Sequence, residues 1–416
     1  MTTTTIDEQV AQLMQGTEYG DDELRQAMAA ELRERLIDSE REGRPLRVYC
    51  GYDPRTTDLH LGHTITMRKL RQFQELGHEV TFLIGTYTSL IGDPSDKDKL
   101  RPMLTAEQVE YNARTYAEQA YKILSREKTL VRYNAEWLSK LTFADLIELA
   151  SNFTLQQFIS RENFKLRWDK NEAIFLHETF YAIMQGYDAY SMRADVQVGG
   201  SDQLFNILTA ARKVMTFMGV RPNIGIIMGI LPGTDGVVRM SKTLGNHIPL
   251  MATPEDMYGK VMSVPDGAMS SYFRLTTRWP TTKIAALEAD IAAGSLHPRD
   301  AKMKLAQEIV EIFHGVEAAQ RAEEHFVRVF RQHALPTEIP EYTLQPGQTV
   351  LDVLEAAGLI KTRGEGRRLL EQYGVRLDGE ALVDPNQPFP HQGVLQVGKR
   401  RFLRVSESID LSASGG

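Results

Sequence analysis

Cysteine is nearly absent from this chain. Cys50 stands alone among 416 residues, so no internal disulfide can form, and the cytoplasm is the expected location. Long apolar runs are missing too: nothing approaches the roughly 18 residues that a membrane span needs, so no membrane partner is expected. The opening MTTTTIDEQVAQLM lacks the basic-then-apolar order of a secretory signal. No G-x-x-x-x-G-K-[ST] occurs, which excludes a P-loop nucleotide site. No Cys/His cluster offers a ligand set, so no protein-bound metal or prosthetic group is expected. A net charge of −7 argues against wholesale coating by nucleic acid. That charge is unevenly spread. Between Lys361 and Arg404 nine basic residues face five acidic ones, a local +4 that leaves −11 for the remainder.

What is present has the composition of an ordinary soluble protein, 42% hydrophobic and 25% charged, and a length that implies two or three domains. LRQAMAAELRERLIDSEREG (24–43) reads as a charged helix stopped by glycine. LRVYCGY (46–52) is too short for a buried helix and reads as a buried strand. Met67, Leu70, Phe73 and Leu76 recur at helical spacing up to Gly77, and EVTFLIG (79–85) is a second β-rich run. Strand, helix, strand predicts a parallel pair with a ligand crevice at the strands' carboxyl ends. RADVQVGGSDQ (193–203), LFNILTAARKVMTFMG and NIGIIMGIL (223–231) continue as strand, helix and strand, with a helical insertion near 105–165. The expected fold class is α/β: a doubly wound, Rossmann-like parallel sheet over 46–248, behind an N-terminal helical segment, 1–45. β-rich runs then vanish, so 249–330 is expected to be an α-helical domain. Pro336, Pro340 and Pro346 mark a linker over 331–346, a small α+β domain fills 347–405, and 406–416 forms a flexible tail.

Three stretches carry chemistry. In DLHLGH, His60 and His63 frame Gly62 where a helix should begin. A helix's first turn already favours an anion; two imidazoles add donors for phosphate oxygens, and Gly62 lets a flat ring lie against the backbone. The plainer alternative is a helix capped by Asp58. In VVRMSKTLGNHI (237–248), Arg239 and Lys242 stand three apart with Ser241 and Thr243 as hydroxyl donors. On a mobile surface loop they suit a polyphosphate whose charge grows as a bond breaks, or form only a solvated basic loop. In FYAIMQGYDAY, Tyr181, Gln185 and Asp188 fall on one helix face. Phenol, amide and carboxylate together would line a pocket for a small zwitterion with a polar tip, or mark a partly exposed helix. GGSDQ (199–203), at a strand end, permits close approach of a nucleotide, with Asp202 placed to accept from ribose hydroxyls.

HLGH and RMSKT, in that order, resemble the H-I-G-H and K-M-S-K-S signatures of class I aminoacyl-tRNA synthetases. Through YCGYDPRTTDLHLGH, SLIGDPSDK, YAIMQGYD, VGGSDQ and GRRLLEQYGVRLDG the chain is similar, nearly end to end, to the bacterial tyrosyl-tRNA synthetases of that class. The resemblance implies a tyrosine–tRNA ligase activity: ATP with Mg2+ activates L-tyrosine to an adenylate plus pyrophosphate, and tyrosine then passes to the 3′ end of tRNA(Tyr). It also implies a homodimer. It places His60, His63, Arg239, Lys242 and Thr243 in the catalytic set. Asp93, Tyr181 and Gln185 would hold the substrate's ammonium group, Tyr49 and Asp188 its phenol, and Gln203 would lie by its carboxylate. Gly51, Asp53, Gly62, Gly200, Asp202 and Lys242 would line the ATP pocket. Two residues depart from the family pattern: Arg55 stands where a threonine is usual, and Arg239 replaces the loop's first lysine. Tryptophan-specific relatives share both signatures, but Tyr49 with Asp188 favours a phenol over an indole. Near the C-terminus, Arg363, Arg367, Arg368, Lys399, Arg400 and Arg401 resemble the basic face of a ribosomal protein S-four type RNA-binding domain. Such cations meet phosphates in a salt-dependent way with little base specificity.

Overall fold

The structure, a computed structural model, describes residues 4–54, 58–95, 104–242, 244–331, 339–360, 362–398 and 401–407. Arg55, Thr243, Lys399, Arg400 and the last nine residues of the expected tail lie outside these. The chain divides into two units, Met1–Glu323 and Glu324–Gly416.

The first unit is built on a parallel sheet of five strands, β1 (Arg47–Tyr52), β2 (Glu79–Ile84), β3 (Thr129–Tyr133), β4 (Val196–Gly200) and β5 (Ile224–Met228), in the order β3-β2-β1-β4-β5. β5 is buried along its whole length and β4 at all but its last residue. That is why β5 reads as an apolar run, since a parallel sheet covered on both faces leaves no polar side to alternate, while buried Gln197 of β4 is met by Asn223 at 3.1 Å. Register is fixed by pairs such as Cys50↔Phe82 and Val48↔Val196. The chain moves outward from β1 to β3, then returns to lay β4 on the other flank of β1. A crevice therefore opens between the carboxyl ends of β1 and β4.

β3 corrects the expectation of a purely helical insertion. It lies at the sheet edge with Leu130 and Tyr133 exposed. A half-exposed edge strand shows neither a buried run nor clean alternation, which is why TLVRY escaped notice. After β5 the unit is helical, with Pro254–Met262, Met269–Thr276, Thr281–Ala293 and Pro298–His314. Pro298 opens the last of these and Gly315, at φ 85°, ends it.

The helix Asp22–Glu42 starts where the Asp21 carboxylate accepts from Glu23 N–H at 2.8 Å, and ends at Gly43 in the left-handed region. It is tied to the sheet by a buried charge cluster. Arg35 donates to Asp195 Oδ1 at 2.7 Å, and Arg44 and the Arg47 N–H donate to Oδ2 at 2.8 and 2.9 Å. Burial alone would raise the Asp195 carboxyl, but the bonds and charges from Arg44, Arg47 and Arg35 hold it below the usual carboxylate range.

In the second unit, β6 (Glu341–Leu344), β7 (Val375–Leu377), β8 (Glu380–Ala381), β9 (Gly393–Val397) and β10 (Arg401–Glu407) form a sheet in the order β6-β10-β9-β7-β8. The helices Val350–Ala356 and Arg363–Glu371 contribute Leu351, Leu354 and Leu370 to the core this sheet covers. β6 falls inside the stretch expected to be linker: its residues pair in parallel with β10, from Arg404↔Glu341 to Glu407↔Leu344. β10 likewise runs two residues into the expected tail. Proline spacing marked a break in the chain and missed a four-residue strand that forms only by pairing with a distant one.

Asp195→Ala is expected to cost about 3–5 kcal/mol in urea unfolding, because it leaves the buried Arg35 guanidinium without its counter-charge. A cost under about 1 kcal/mol would contradict the anchoring role. The carboxylate's contribution is full above the unfolded pKa and is lost as pH falls through the lowered folded one, so the penalty should shrink on acidification.

Candidate active site

The helix Leu176–Ser191 lies over the crevice and carries Tyr181, Gln185 and Asp188 on one face, as their spacing predicts. Asp188 is 3% exposed, and its carboxylate accepts from Trp137 Nε1 at 2.7 Å and Asn134 Nδ2 at 3.3 Å. Burial drives this carboxyl up to about 8 against the pull of those two donors. Tyr49, on β1, is 2% exposed, and its hydroxyl has no hydrogen-bond partner among the described residues. Burial first, and the charge of Asp188 second, raise that phenol well above its ordinary pKa, so it stays a donor.

From Asp188 a run of buried bonds continues. Asn134 also donates to Thr88 Oγ1 at 3.0 Å, Thr88 donates to Asp53 Oδ1 at 2.8 Å, and the Tyr181 hydroxyl donates to Asp53 Oδ2 at 3.0 Å. Asp53, expected in a nucleotide pocket, thus anchors Tyr181. Asp93 sits in a second cluster: Gln203 Nε2 donates to its carboxylate. Gln203 Oε1 accepts from Asn206 Nδ2 at 3.0 Å, and the same amide nitrogen lies 3.1 Å from Gln185 Oε1. Fully buried Asn206 therefore joins Asp93, Gln185 and Gln203 into one polar wall.

Asn206 occupies a wide π-helical turn, Phe205–Ala211, between a tight turn Ser201–Gln203 and the α-helix Arg212–Phe217. One continuous α-helix was expected here. Such turns concentrate at functional sites because they re-aim a side chain out of the regular spiral. Asn206, an amide in the apolar run LFNIL, was the available signal. Asn134 and Trp137 carried none, since they follow the unanticipated β3.

The phosphate side is assembled by backbone pairing between two distant segments. Leu61 N–H donates to Ile248 O at 2.9 Å and Leu250 N–H to Leu59 O at 3.1 Å. His60 lies between these pairings, opposite Pro249, and the basic loop ends just before them. The rings of His60 and His63 are 3.9 Å apart, and the His60 N–H donates to His63 Nδ1 at 3.2 Å, which leaves the His63 proton on Nε2. A Cβ on Gly62 would lie 3.1 Å from the His60 ring, so the glycine does make room for a flat imidazole. The α-helix begins only at Thr64, after a tight turn Leu61–His63, and the Asp58 carboxylate binds Lys242, where a helix cap had been the alternative. Chiefly through burial, His60 falls to about 2 and His63 to about 4. Both are neutral donors at physiological pH.

Arg239 NH1 donates to Asp202 Oδ2 at 3.2 Å, so each loop cation rests on a carboxylate beside the crevice. Asn246 braces the loop: its Oδ1 accepts from Ser241 N–H at 2.8 Å and its Nδ2 donates to Asp235 Oδ2 at 2.5 Å. Met240 is buried beneath. A Cβ on Gly200 would lie 2.5 Å from Asp202 Oδ1, so the glycine leaves room for that carboxylate. His247, unremarked in the sequence although it lies in the loop segment, brings its ring to 6.2 Å from His60. Among the described residues, no three His, Cys, Asp or Glu side chains come together to hold a metal ion.

In the second unit Arg363 is bound by Asp352 at 2.8 Å and Glu355 at 2.7 Å, and Arg401 donates to Leu359 O. Arg367 and Arg368 are exposed.

A family model described as tRNA synthetases class I (W and Y) matches residues 41–331. The chain is 47% identical over 378 residues to a tyrosine–tRNA ligase of Moorella thermoacetica, covering 90% of this chain and 91% of that one. It is 44% identical over 404 residues to a tyrosine–tRNA ligase of Oleidesulfovibrio alaskensis, covering 96% and 99%. In fold it is similar to a C-terminally truncated mitochondrial tyrosyl-tRNA synthetase of Aspergillus nidulans, with a TM-score of 0.62 at 21% identity over 78% of this chain and 94% of that one.

Neutral, buried imidazoles give a direct expectation. The ring resonances of His60 and His63 should stay flat between about pH 5.5 and 8.5 in an NMR titration, where a free histidine titrates near 6.5. A midpoint between about 6 and 7 for either ring would contradict the burial argument.

Proposed function

The chain belongs to the class I tRNA synthetases (W and Y), and from that premise we propose that its crevice activates L-tyrosine with ATP and passes it to the 3′ end of tRNA(Tyr). The observation that carries the amino-acid assignment is the buried, unpartnered Tyr49 hydroxyl beside Asp188. A buried polar group left unpaired costs about 1–3 kcal/mol, and a substrate phenol removes that cost. Tyr49 donates to the phenol oxygen, and the phenol O–H donates to the Asp188 carboxylate, already oriented by Trp137 and Asn134. Phenylalanine leaves both groups unsatisfied. At the other end, Asp93, Tyr181 and Gln185 take the ammonium group, and Gln203 lies by the carboxylate.

The tyrosine carboxylate then attacks the α-phosphate of ATP in line and expels pyrophosphate. A carboxylate is already a nucleophile, so no protein group need become covalent. What the protein supplies is position and stabilisation of the charge that grows on phosphorus. His60 and His63 donate one proton each to phosphate oxygens. Arg239 and Lys242 leave Asp202 and Asp58 for the departing pyrophosphate, Thr243, next in sequence, is assigned to the same step, and Asp202 then accepts from the ribose. Gly51, Gly62 and Gly200 keep the floor low. Magnesium enters as the salt of ATP, on the phosphates, where it neutralises charge.

Arg367 and Arg368, joined by Lys399, Arg400 and Arg401, meet tRNA phosphates, while Arg363 holds its own unit together. Phe143, Ile147, Leu155, Trp168 and Leu176 are exposed within one stretch and support a homodimer. No helix among the described residues is long and apolar enough to cross a membrane, and a working place in the cytoplasm fits a chain with one buried thiol.

Tyr49→Phe and Asp188→Ala should each lower the preference for tyrosine over phenylalanine in adenylate formation by about tenfold to a hundredfold. Selectivity equal to wild type in both would refute the pocket assignment. Truncation after Phe330 should leave tyrosine activation in place and cut tRNA charging; undiminished charging would sink the role given to the C-terminal cations.

A further inference from the structure

A cavity of about 390 Å³ in the first unit shares no residue with the crevice described above. It is walled by the helices Ile6–Met14 and Thr64–Glu75 and by the segment 274–281. Four cations line it, Arg68, Lys69, Arg274 and Arg278, and among the described residues no carboxylate does. Arg274 is held by Glu288 at 2.8 Å, and Arg278 by Glu308 at 2.9 Å and Glu311 at 2.7 Å. Arg68 and Lys69 differ. Arg68 donates to Thr277 O, and Lys69 Nζ donates to Gln12 O at 3.2 Å and Gln15 O at 3.1 Å. Both cations therefore rest on neutral carbonyls, and among the described residues neither has a carboxylate within 4 Å.

Burying a cation without a counter-ion is costly, and the chemistry shows it: burial pulls Lys69 down to about 7 and Arg68 down to about 10. A second buried group on the same wall is unsatisfied, since Gln72 Oε1 has no hydrogen-bond partner among the described residues. Two uncompensated cations ask for an anion of more than one charge, and the amide oxygen asks for a hydroxyl beside it. Guanidinium forks match the oxygens of a phosphate. The volume falls within the range of small-molecule sites and exceeds what a bare ion fills. Ile65, Leu275 and Trp279 give the rest of the wall an apolar character suited to an organic body.

We propose that this cavity binds a small phosphate ester, at a second site separate from the catalytic crevice, with Arg68, Lys69, Arg274 and Arg278 on the phosphate and Gln72 on a neighbouring hydroxyl. The site does not depend on the identity of the activated amino acid, and its primary readout is ligand-induced stabilisation rather than turnover.

The experiment is thermal unfolding of the full chain, followed by fluorescence, with tyrosine and a non-hydrolysable ATP analogue saturating the crevice. Ribose 5-phosphate is the probe, with sodium chloride at matched ionic strength as the control. A saturable rise of the midpoint by about 2–4 °C is expected with the ester and none with the salt. Arg274→Gln, a change at a half-exposed residue that should leave folding and tyrosine-dependent pyrophosphate exchange intact, should weaken the apparent affinity at least tenfold. Lys69→Gln should abolish the rise. No rise in the wild type, or an equal rise in Arg274→Gln, would overturn the site. The KM for tRNA should be unchanged in Arg274→Gln. A raised KM together with no response to ribose 5-phosphate would assign the cavity to the RNA backbone and overturn the small-molecule proposal.

Discussion

Two backbone hydrogen bonds, from Leu61 N–H to Ile248 O and from Leu250 N–H to Leu59 O, lock together segments that lie almost half the chain apart. Everything on the phosphate side follows from that pairing. His60 and His63 stand on one strand of it, and the basic loop is tethered at its C-terminal end to the other. The entropy of bringing two imidazoles and two cations to one place is therefore met once, in folding, and not again at each turnover. The same pairing explains why the resting loop is compact. Lys242 rests on Asp58 and Arg239 on Asp202, so on the proposed mechanism a growing charge on phosphate would draw both cations off nearby carboxylates.

The amino-acid side obeys a different constraint, the satisfaction of buried polar groups. Asp188, Asn134, Thr88, Asp53 and Tyr181 form one run of bonds, and Asp93, Gln203, Asn206 and Gln185 form another. Within these walls Tyr49 carries a hydroxyl with no hydrogen-bond partner among the described residues. A buried hydroxyl left open between Asp188 and the sheet is costly, and a ligand oxygen placed there would remove that cost. Asp188, near 8 when the crevice is empty, is the acceptor that such an oxygen's proton stabilises.

Most of the sheet was legible because burial leaves a plain trace: β1, β2 and β5 read as short apolar runs, β4 as a short strand ending in a glycine turn, and the helical face of Tyr181, Gln185 and Asp188 followed from spacing alone. β3 was not legible, since an edge strand keeps one side in water. β6 was hidden in a proline-marked stretch because its structure comes from pairing with β10. The π-helical turn at Asn206 was invisible to a 3.6-residue period. In the site, the residues proposed to meet ligand were named by type, motif and resemblance. Those that aim them, Asn134, Trp137, Thr88 and Asn206, were not, because a positioning amide or hydroxyl looks like any other until the fold brings it to its partner. Asp53 was found, but with Tyr181 as a partner that only the fold could reveal.

The central claim is that this crevice is shaped for a phenol-bearing amino acid and its adenylate. Exchange of labelled pyrophosphate into ATP, run without tRNA across all twenty amino acids, tests it most directly. The account predicts exchange with tyrosine and background with the rest, phenylalanine and tryptophan included. Exchange supported by tryptophan, or by no amino acid at all from folded protein supplied with magnesium, would contradict it.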